Sequence, residues 1–272
     1  MGRVETVGKK KISASYALAN SSKQTEARFA ALSAIYDRGT VRYLGELGVG
    51  QGWHCLEAGG GSGTIAKWLA DRVAPTGHVL TTDLDTRFLD ALRGQNLEVR
   101  CHNIGVDPLP EAVFDLIHTR LVLMHVPQRE AALARMISSL KPGGWLFLEE
   151  YDSRSMLPDP IVNSAEALLQ TQLAMLQLLE DRGVDRRYGR LLPGLLRARG
   201  LCSVGAEAQL FLWQKESQGT NLMRANFEQL REEMIHGHYI TQQQFDRDMA
   251  RLDDPDFLMP SSILWSVWRQ HS

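Results

Sequence analysis

Seven consecutive residues, Glu57-Ala58-Gly59-Gly60-Gly61-Ser62-Gly63, follow the apolar pair Cys55-Leu56 and lead into a helical pattern that opens at Thr64. Glycines at a strand-to-helix turn adopt backbone angles closed to other residues and let a ligand approach the chain. The helix N-terminus behind them offers free N–H groups and a positive dipole end, which suit a carboxylate as well as a phosphate. Asp83 closes the next apolar run about 20 residues beyond Gly63, where a carboxylate can accept hydrogen bonds from ribose hydroxyls. Its other reading is a helix cap, a role open equally to Asp85. Gly61, Gly63 and Ala66 also satisfy part of the dinucleotide fingerprint, so this turn alone leaves an NAD(P)-dependent oxidoreductase open.

Other residue types invite chemistry further along. His125, in Leu123-Met124-His125-Val126-Pro127, is a candidate general base, because a neutral imidazole is well tuned for that work; the competing reading is a packing, loop-fixing histidine. Glu149, Glu150, Tyr151 and Asp152 close a later apolar run. Side chains alternate along a strand, so Glu149 and Glu150 cannot both face one pocket. Glu150 or Asp152 is a candidate to accept a proton or orient a polar substrate, against the blander reading of a solvated acidic loop. His236 and His238 resemble half a metal site, but no Cys or carboxylate stands at a matching spacing, so no metal is expected.

The elements that position these residues alternate. Apolar runs over 53–57, 78–83, 98–103, 114–119, 145–150, 203–213 and 263–269 read as strands, and helical patterns lie between them over 64–73, 86–93 and 128–140. This arrangement predicts a Rossmann-like α/β fold: a mostly parallel seven-stranded sheet with helices on both faces and an added helical cap. Breakers punctuate it, at Ala74-Pro75-Thr76-Gly77 and again at Lys141-Pro142-Gly143-Gly144. We divide the chain into an N-terminal helical segment over 1–50 and one domain over 51–272, with helical insertions at about 152–190 and 220–257. The first insertion reads as a long helix, with Asp159 as N-cap, Pro160 at its first position and Gly183 past its end. Leu168, Leu169, Leu173, Met175, Leu176 and Leu179 make it apolar over more than one stripe, so part should pack on the sheet domain and part should roof a pocket. In the second, Gly237 ends one helix, and Thr241 with Gln244 forms a capping box that starts another.

The succession along the chain resembles the class I S-adenosylmethionine-dependent methyltransferases. The pattern E-x-G-x-G-x-G at Glu57, Gly59, Gly61 and Gly63 looks like their first motif. Asp83, His102-Asn103-Ile104, Asp107-Pro108-Leu109-Pro110, Phe114-Asp115-Leu116-Ile117-His118 and Leu140-Lys141-Pro142-Gly143-Gly144 follow in the order of the later ones. By that resemblance the cofactor is S-adenosylmethionine, with its amino-acid end against the glycine turn, its ribose on Asp83 and its adenine beside Leu84, Asn103 and Ile104. The family often carries an acid at the position of Asn103; an Asn oxygen still accepts from the adenine amino group but without the charge-assisted part. The resemblance also places Thr119 and Arg120 where the backbone meets the cofactor and the acceptor pocket begins. In similar enzymes an N-terminal helix lies over the cofactor, which makes Tyr16 and Arg28 candidates for its carboxylate.

Composition narrows the partners. The chain has 272 residues and a formal net charge of −2, so no global basic field gathers a polyanion, and nucleic acid is not an expected partner. No stretch approaches 18 consecutive apolar residues and no apolar run follows the charged N-terminus, so neither membrane nor secretion is expected. Cys55, Cys101 and Cys202 are too scattered for a disulfide framework and are read as small buried residues of a cytoplasmic protein. The resemblance therefore implies methyl transfer to a small, partly hydrophobic molecule, of the kind found in secondary metabolism. An NAD(P)-dependent oxidoreductase and an S-adenosylmethionine-binding protein without catalysis are the alternatives.

Overall fold

A computed structural model describes residues 23–154, 169–201 and 203–271. Seven strands form one sheet in the order β3-β2-β1-β4-β5-β9-β6: β1 His54–Ala58, β2 His78–Asp83, β3 Leu97–Cys101, β4 Phe114–Arg120, β5 Leu140–Asp152, β6 Gly205–Gln209 and β9 Ile263–Gln270. β1 to β5 run parallel, whereas β9 lies antiparallel to both β5 and β6. Strand order reverses between β1 and β4, and in open α/β sheets the crevice at the carboxyl ends of such strands is where ligands bind.

Period-two alternation sorts the strand residues into two cores. Cys55, Leu116 and Phe147 join the α2 side chains Ile65, Ala66 and Leu69 on one face. Leu56, Ile117, Leu146 and Leu148 join Leu133 and Met136 of α3 on the other. The helices are α1 Thr25–Glu46, α2 Thr64–Val73, α3 Arg129–Ser139, α4 Gln170–Asp181, α5 Tyr188–Ala198, α6 Gln218–His236 and α7 Gln242–Arg251. Gly63 caps α2 with φ of +80°, and a Cβ there would stand 2.1 Å from Leu92 Cδ1, so a glycine is required. Thr241 and Gln244 form the reciprocal capping box at the start of α7.

Several elements differ from the sequence reading. The expected helix over 86–93 is two 3₁₀ turns, Thr86–Phe88 and Asp90–Leu92. Leu89 and Leu92 are drawn under the glycine turn, against the positions a Cβ on Gly60 or Gly63 would take, and Asp85 caps the first of the two turns. The expected strand over 203–213 breaks at Leu210–Phe211. β6 stays in the sheet, while β7 Leu212–Gln214 leaves it to pair with β8 Leu258–Pro260; Ser261 secures the break by exchanging hydrogen bonds with the Phe211 backbone. The first insertion is more than one helix. Asp159, Pro160 and Leu168 lie outside the described residues, α4 ends at Asp181 with Gly183 just beyond it at φ of +91°, and α5 follows as a separate helix with Pro193 inside it. Cys101 is exposed at the end of edge strand β3, not buried, while Cys55 is buried; both are free thiols, and Cys202 lies outside the described residues. Among the described residues no helix is long and apolar enough to cross a membrane.

Candidate active site

A cavity of about 600 Å³ opens at the carboxyl ends of β1, β2 and β4, within the roughly 300–1,000 Å³ typical of small-molecule clefts. Its floor is the glycine turn. The N–H groups of Gly59 and Gly60 both donate to Thr82 O, Gly61 N–H donates to Asp83 Oδ2 at 3.1 Å, and Gly63 N–H donates to Gly60 O. The glycine N–H groups are thus consumed in holding the turn's shape, and the donors left over for an anionic group are those of the first turn of α2, which have no intrahelical acceptor. A Cβ on Gly59 would stand 2.2 Å from Val122 Cγ2, and one on Gly60 2.2 Å from Thr81 Oγ1. The turn presents bare backbone to the cavity because nothing larger fits.

Asp83 lines the cavity from the end of β2 and accepts from Gly61 N–H and Asp85 N–H, each at 3.1 Å. Burial raises its carboxyl pKa, and the backbone N–H donors pull the other way. The capping role belongs to Asp85, whose Oδ1 accepts from Arg87 N–H. Leu84 is 56% exposed at the rim, and Ile104 is buried beneath it in the same lining. Asn103 lines the cavity too, but its Oδ1 already accepts from Gly105 N–H at 2.9 Å, closing a turn, and its own N–H donates to Asp107 Oδ2. One lone pair of that oxygen and the amide nitrogen are left for a ligand.

Not every expected residue faces this space. Glu57, Gly59, Gly61, Arg28 and Arg120 join the lining, whereas Gly63 and the fully buried Thr119 do not, and Tyr16 lies outside the described residues. His125 lines the cavity, but burial, with the charges of Arg28 and Arg129 nearby, pushes its pKa down to about 3; such a ring stays neutral and is a weak base. Glu150 and Asp152, the other candidate catalytic groups, are turned away from this space and held elsewhere. Glu150 points to the opposite sheet face from Glu149, where it accepts from the N–H groups of Val122, Leu123 and Met124 at 3.1, 2.7 and 3.3 Å. Asp152 is buried, accepting from Arg154 N–H and facing Arg190 at 3.6 Å. Both shape the loops around the cavity without lining it.

The far side of the cavity is a roof. Met175, Leu176 and Leu179 from one face of α4 meet Leu222 and Met223 of α6, with Trp213 of β7 beside them. Leu173 points outward, 41% exposed. The sequence reading gave the roof to α4 alone and not to α6 or Trp213, because nothing in a local pattern says which helix closes over which strand end.

A family model described as a methyltransferase domain matches residues 56–148, which span β1 to β5 and hold the glycine turn. The chain is 32% identical over 194 residues to methyltransferase str2 of Strobilurus tenacellus, a match covering 66% of this chain and 68% of that protein. The chain belongs to the S-adenosylmethionine-dependent methyltransferases. This methyltransferase is also 32% identical over 114 residues to the ubiquinone/menaquinone biosynthesis C-methyltransferase UbiE of Cupriavidus taiwanensis, spanning about half (47%) of that relative's length. Among solved structures, Haemonchus contortus phosphoethanolamine N-methyltransferase 2 in complex with phosphomonomethylethanolamine and S-adenosylhomocysteine superposes with a TM-score of 0.59 at 13% identity, covering 96% of this chain and 60% of that one. The methyltransferase's cofactor is S-adenosylmethionine, and its sheet is the family's α/β sheet. The residues present fit that cofactor: a glycine floor that side chains would fill, an acid at the end of β2, and a cavity wall polar on that side and apolar on the other.

Proposed function

We propose that the acceptor is a small, partly hydrophobic molecule that sits under the α4 and α6 roof, and that methyl transfer to it takes place in the cytoplasm. The observation that carries this reading is that one cavity holds both the glycine turn and the apolar faces of the two roof helices. When bound, the cofactor supplies an electrophilic methyl group on a sulfonium. The protein's residues orient and enclose. Asp83 receives ribose hydroxyls, Glu57 and Arg28 address the amino-acid end, and Leu84, Asn103 and Ile104 take the adenine. Met175, Leu176 and Leu179 exclude water from the reacting centre. Holding the acceptor in line contributes on the order of 7–11 kcal/mol in favourable cases, which is enough to run the reaction without a strong base when the acceptor is an amine with a free lone pair or an acidic hydroxyl.

The relatives' names support small-molecule chemistry, since the UbiE proteins are named for quinone biosynthesis and the Haemonchus enzyme was solved with a phosphorylated amine. The free thiols Cys55 and Cys101 fit a reducing compartment. The −2 net charge argues against polyanionic partners. The test is incubation with methyl-labelled cofactor and a panel of phenols, quinols and amines, alongside tRNA and folded protein. Label moving to a small acceptor supports the reading, and faster methylation of tRNA or folded protein overturns it.

A further inference from the structure

Behind the glycine turn, on the sheet face covered by α1, a row of polar side chains lies out of reach of solvent. Glu57 and His118 stand directly opposite each other on β1 and β4, and Glu149 and Ser266 do so on β5 and β9. His118 Nδ1 lies 2.5 Å from Glu57 Oε2, and its Nε2 lies 3.2 Å from Glu149 Oε2. An ionised carboxylate accepts and cannot donate. A carboxylate beside each ring nitrogen favours a proton on both, so the ring is held as an imidazolium, tilted against Phe147 with ring centroids 5.0 Å apart. The rest of the row is closed by α1. Thr40 donates to Glu149 Oε2 at 2.5 Å, Ser266 donates to Glu149 Oε1 at 2.9 Å, and Arg120 donates to Thr40 at 2.8 Å and to Asp37 at 2.7 Å.

The two carboxylates have different duties. Glu149 is used up inside this network, with donors on both oxygens. Glu57 has Oε2 tied to His118 and itself lines the cavity. Glu57, Glu149 and Asp37 pair with His118 and Arg120, and of these three carboxyl groups Glu57 is the one that lines the cavity, where a cationic group on a ligand would meet it.

We infer that His118 is a positioning residue for the cofactor: donating from Nδ1, it holds Glu57 Oε2 in place at the cavity wall, where Glu57 receives the ammonium of the cofactor's amino-acid end. The inference rests on the cavity being the S-adenosylmethionine site. Without His118, Glu57 loses the donor that holds its Oε2 and is no longer fixed at the cavity wall. The ammonium then loses a positioned partner, while the nucleoside end, held by other residues, keeps its own.

Two ligands separate these ends. S-adenosylhomocysteine carries the amino-acid group, and 5′-methylthioadenosine has the same nucleoside and thioether without it. Calorimetric titration of both into wild type and His118→Leu should show S-adenosylhomocysteine weakened at least about tenfold, the loss of a charge-assisted contact, with methylthioadenosine within about twofold of wild type. His118→Gln, which still carries one donor for Glu57, should recover part of the loss. Equal weakening of both ligands, or no weakening of either, overturns the inference. A second readout needs no variant: ¹⁵N resonances of His118 in the wild-type protein at pH 7 should report both ring nitrogens protonated, and a neutral tautomer would overturn it. Wild type that binds neither ligand would instead bring down the cofactor reading of the cavity.

Discussion

Asp83→Ala separates a ligand-binding acid from a structural one. In the free protein Asp83 accepts two backbone N–H groups, from Gly61 and Asp85, each at 3.1 Å. Both donors lie at the half-buried rim of the cavity, so water replaces the carboxylate, and the fold should lose only about 1 kcal/mol. The ribose hydroxyls, by contrast, lose hydrogen bonds to a charged acceptor, about 1.5–3 kcal/mol. At about 1.4 kcal/mol per decade this weakens S-adenosylhomocysteine roughly 10- to 150-fold. The assay is calorimetry at pH 7.5, with urea melts to check the fold. Asp85→Ala is the control, since Asp85 caps the 3₁₀ turn at Arg87; it should lose cap stability of about 0.5–2 kcal/mol and leave affinity within about threefold. Unchanged affinity in Asp83→Ala, with a tenfold loss in Asp85→Ala, would show that the two roles are reversed.

The pKa of His118 is raised to about 9 from 6.5, by Glu57 and Glu149 working against the desolvation that lowers it. A raised folded pKa stabilises fully below the unfolded value and is lost as pH rises through the folded one. Urea stability should therefore fall by roughly 3 kcal/mol between pH 6.5 and 9.5, measured in a Glu150→Gln background because burial also raises the Glu150 pKa, to about 8; a flat profile there refutes the network. Met175→Asp places a charge on a buried roof position and should cut methyl transfer while S-adenosylhomocysteine affinity stays near wild type, so an equal loss of both would remove the roof from the acceptor site. Gly59→Ala combines a left-handed backbone, φ +75°, with a Cβ 2.2 Å from Val122; it should cost at least about 2 kcal/mol in urea melts, and an unchanged midpoint would contradict that geometry.

Local pattern carried much of this protein. Short apolar runs alternating with helical periods specify a mostly parallel sheet, and β2, α2 and the α7 capping box fall where their residues place them, because caps, glycines and breakers act within a few residues of themselves. The glycine turn was legible for the same reason: its backbone demands are local. What the sequence could not decide was contact between distant segments. Whether Glu149 or Glu150 turns toward the cofactor side depends on strand register against β4 and β9. The answer, Glu149 into the His118 network and Glu150 onto the turn over 122–124, exists only once the strands are paired. Glu57, His118 and Glu149 were each visible as polar residues inside apolar strand runs, an unusual placement that signals partners, but the sequence does not say which. The helix over 86–93 was lost to packing under the glycine turn, and the strand over 203–213 broke because β7 found a partner in β8, more than 40 residues away. In each case burial and hydrogen bonding between segments far apart in sequence outweighed propensities of a few tenths of a kilocalorie per residue, and it is those long-range pairings that bring the apolar roof over the glycine floor.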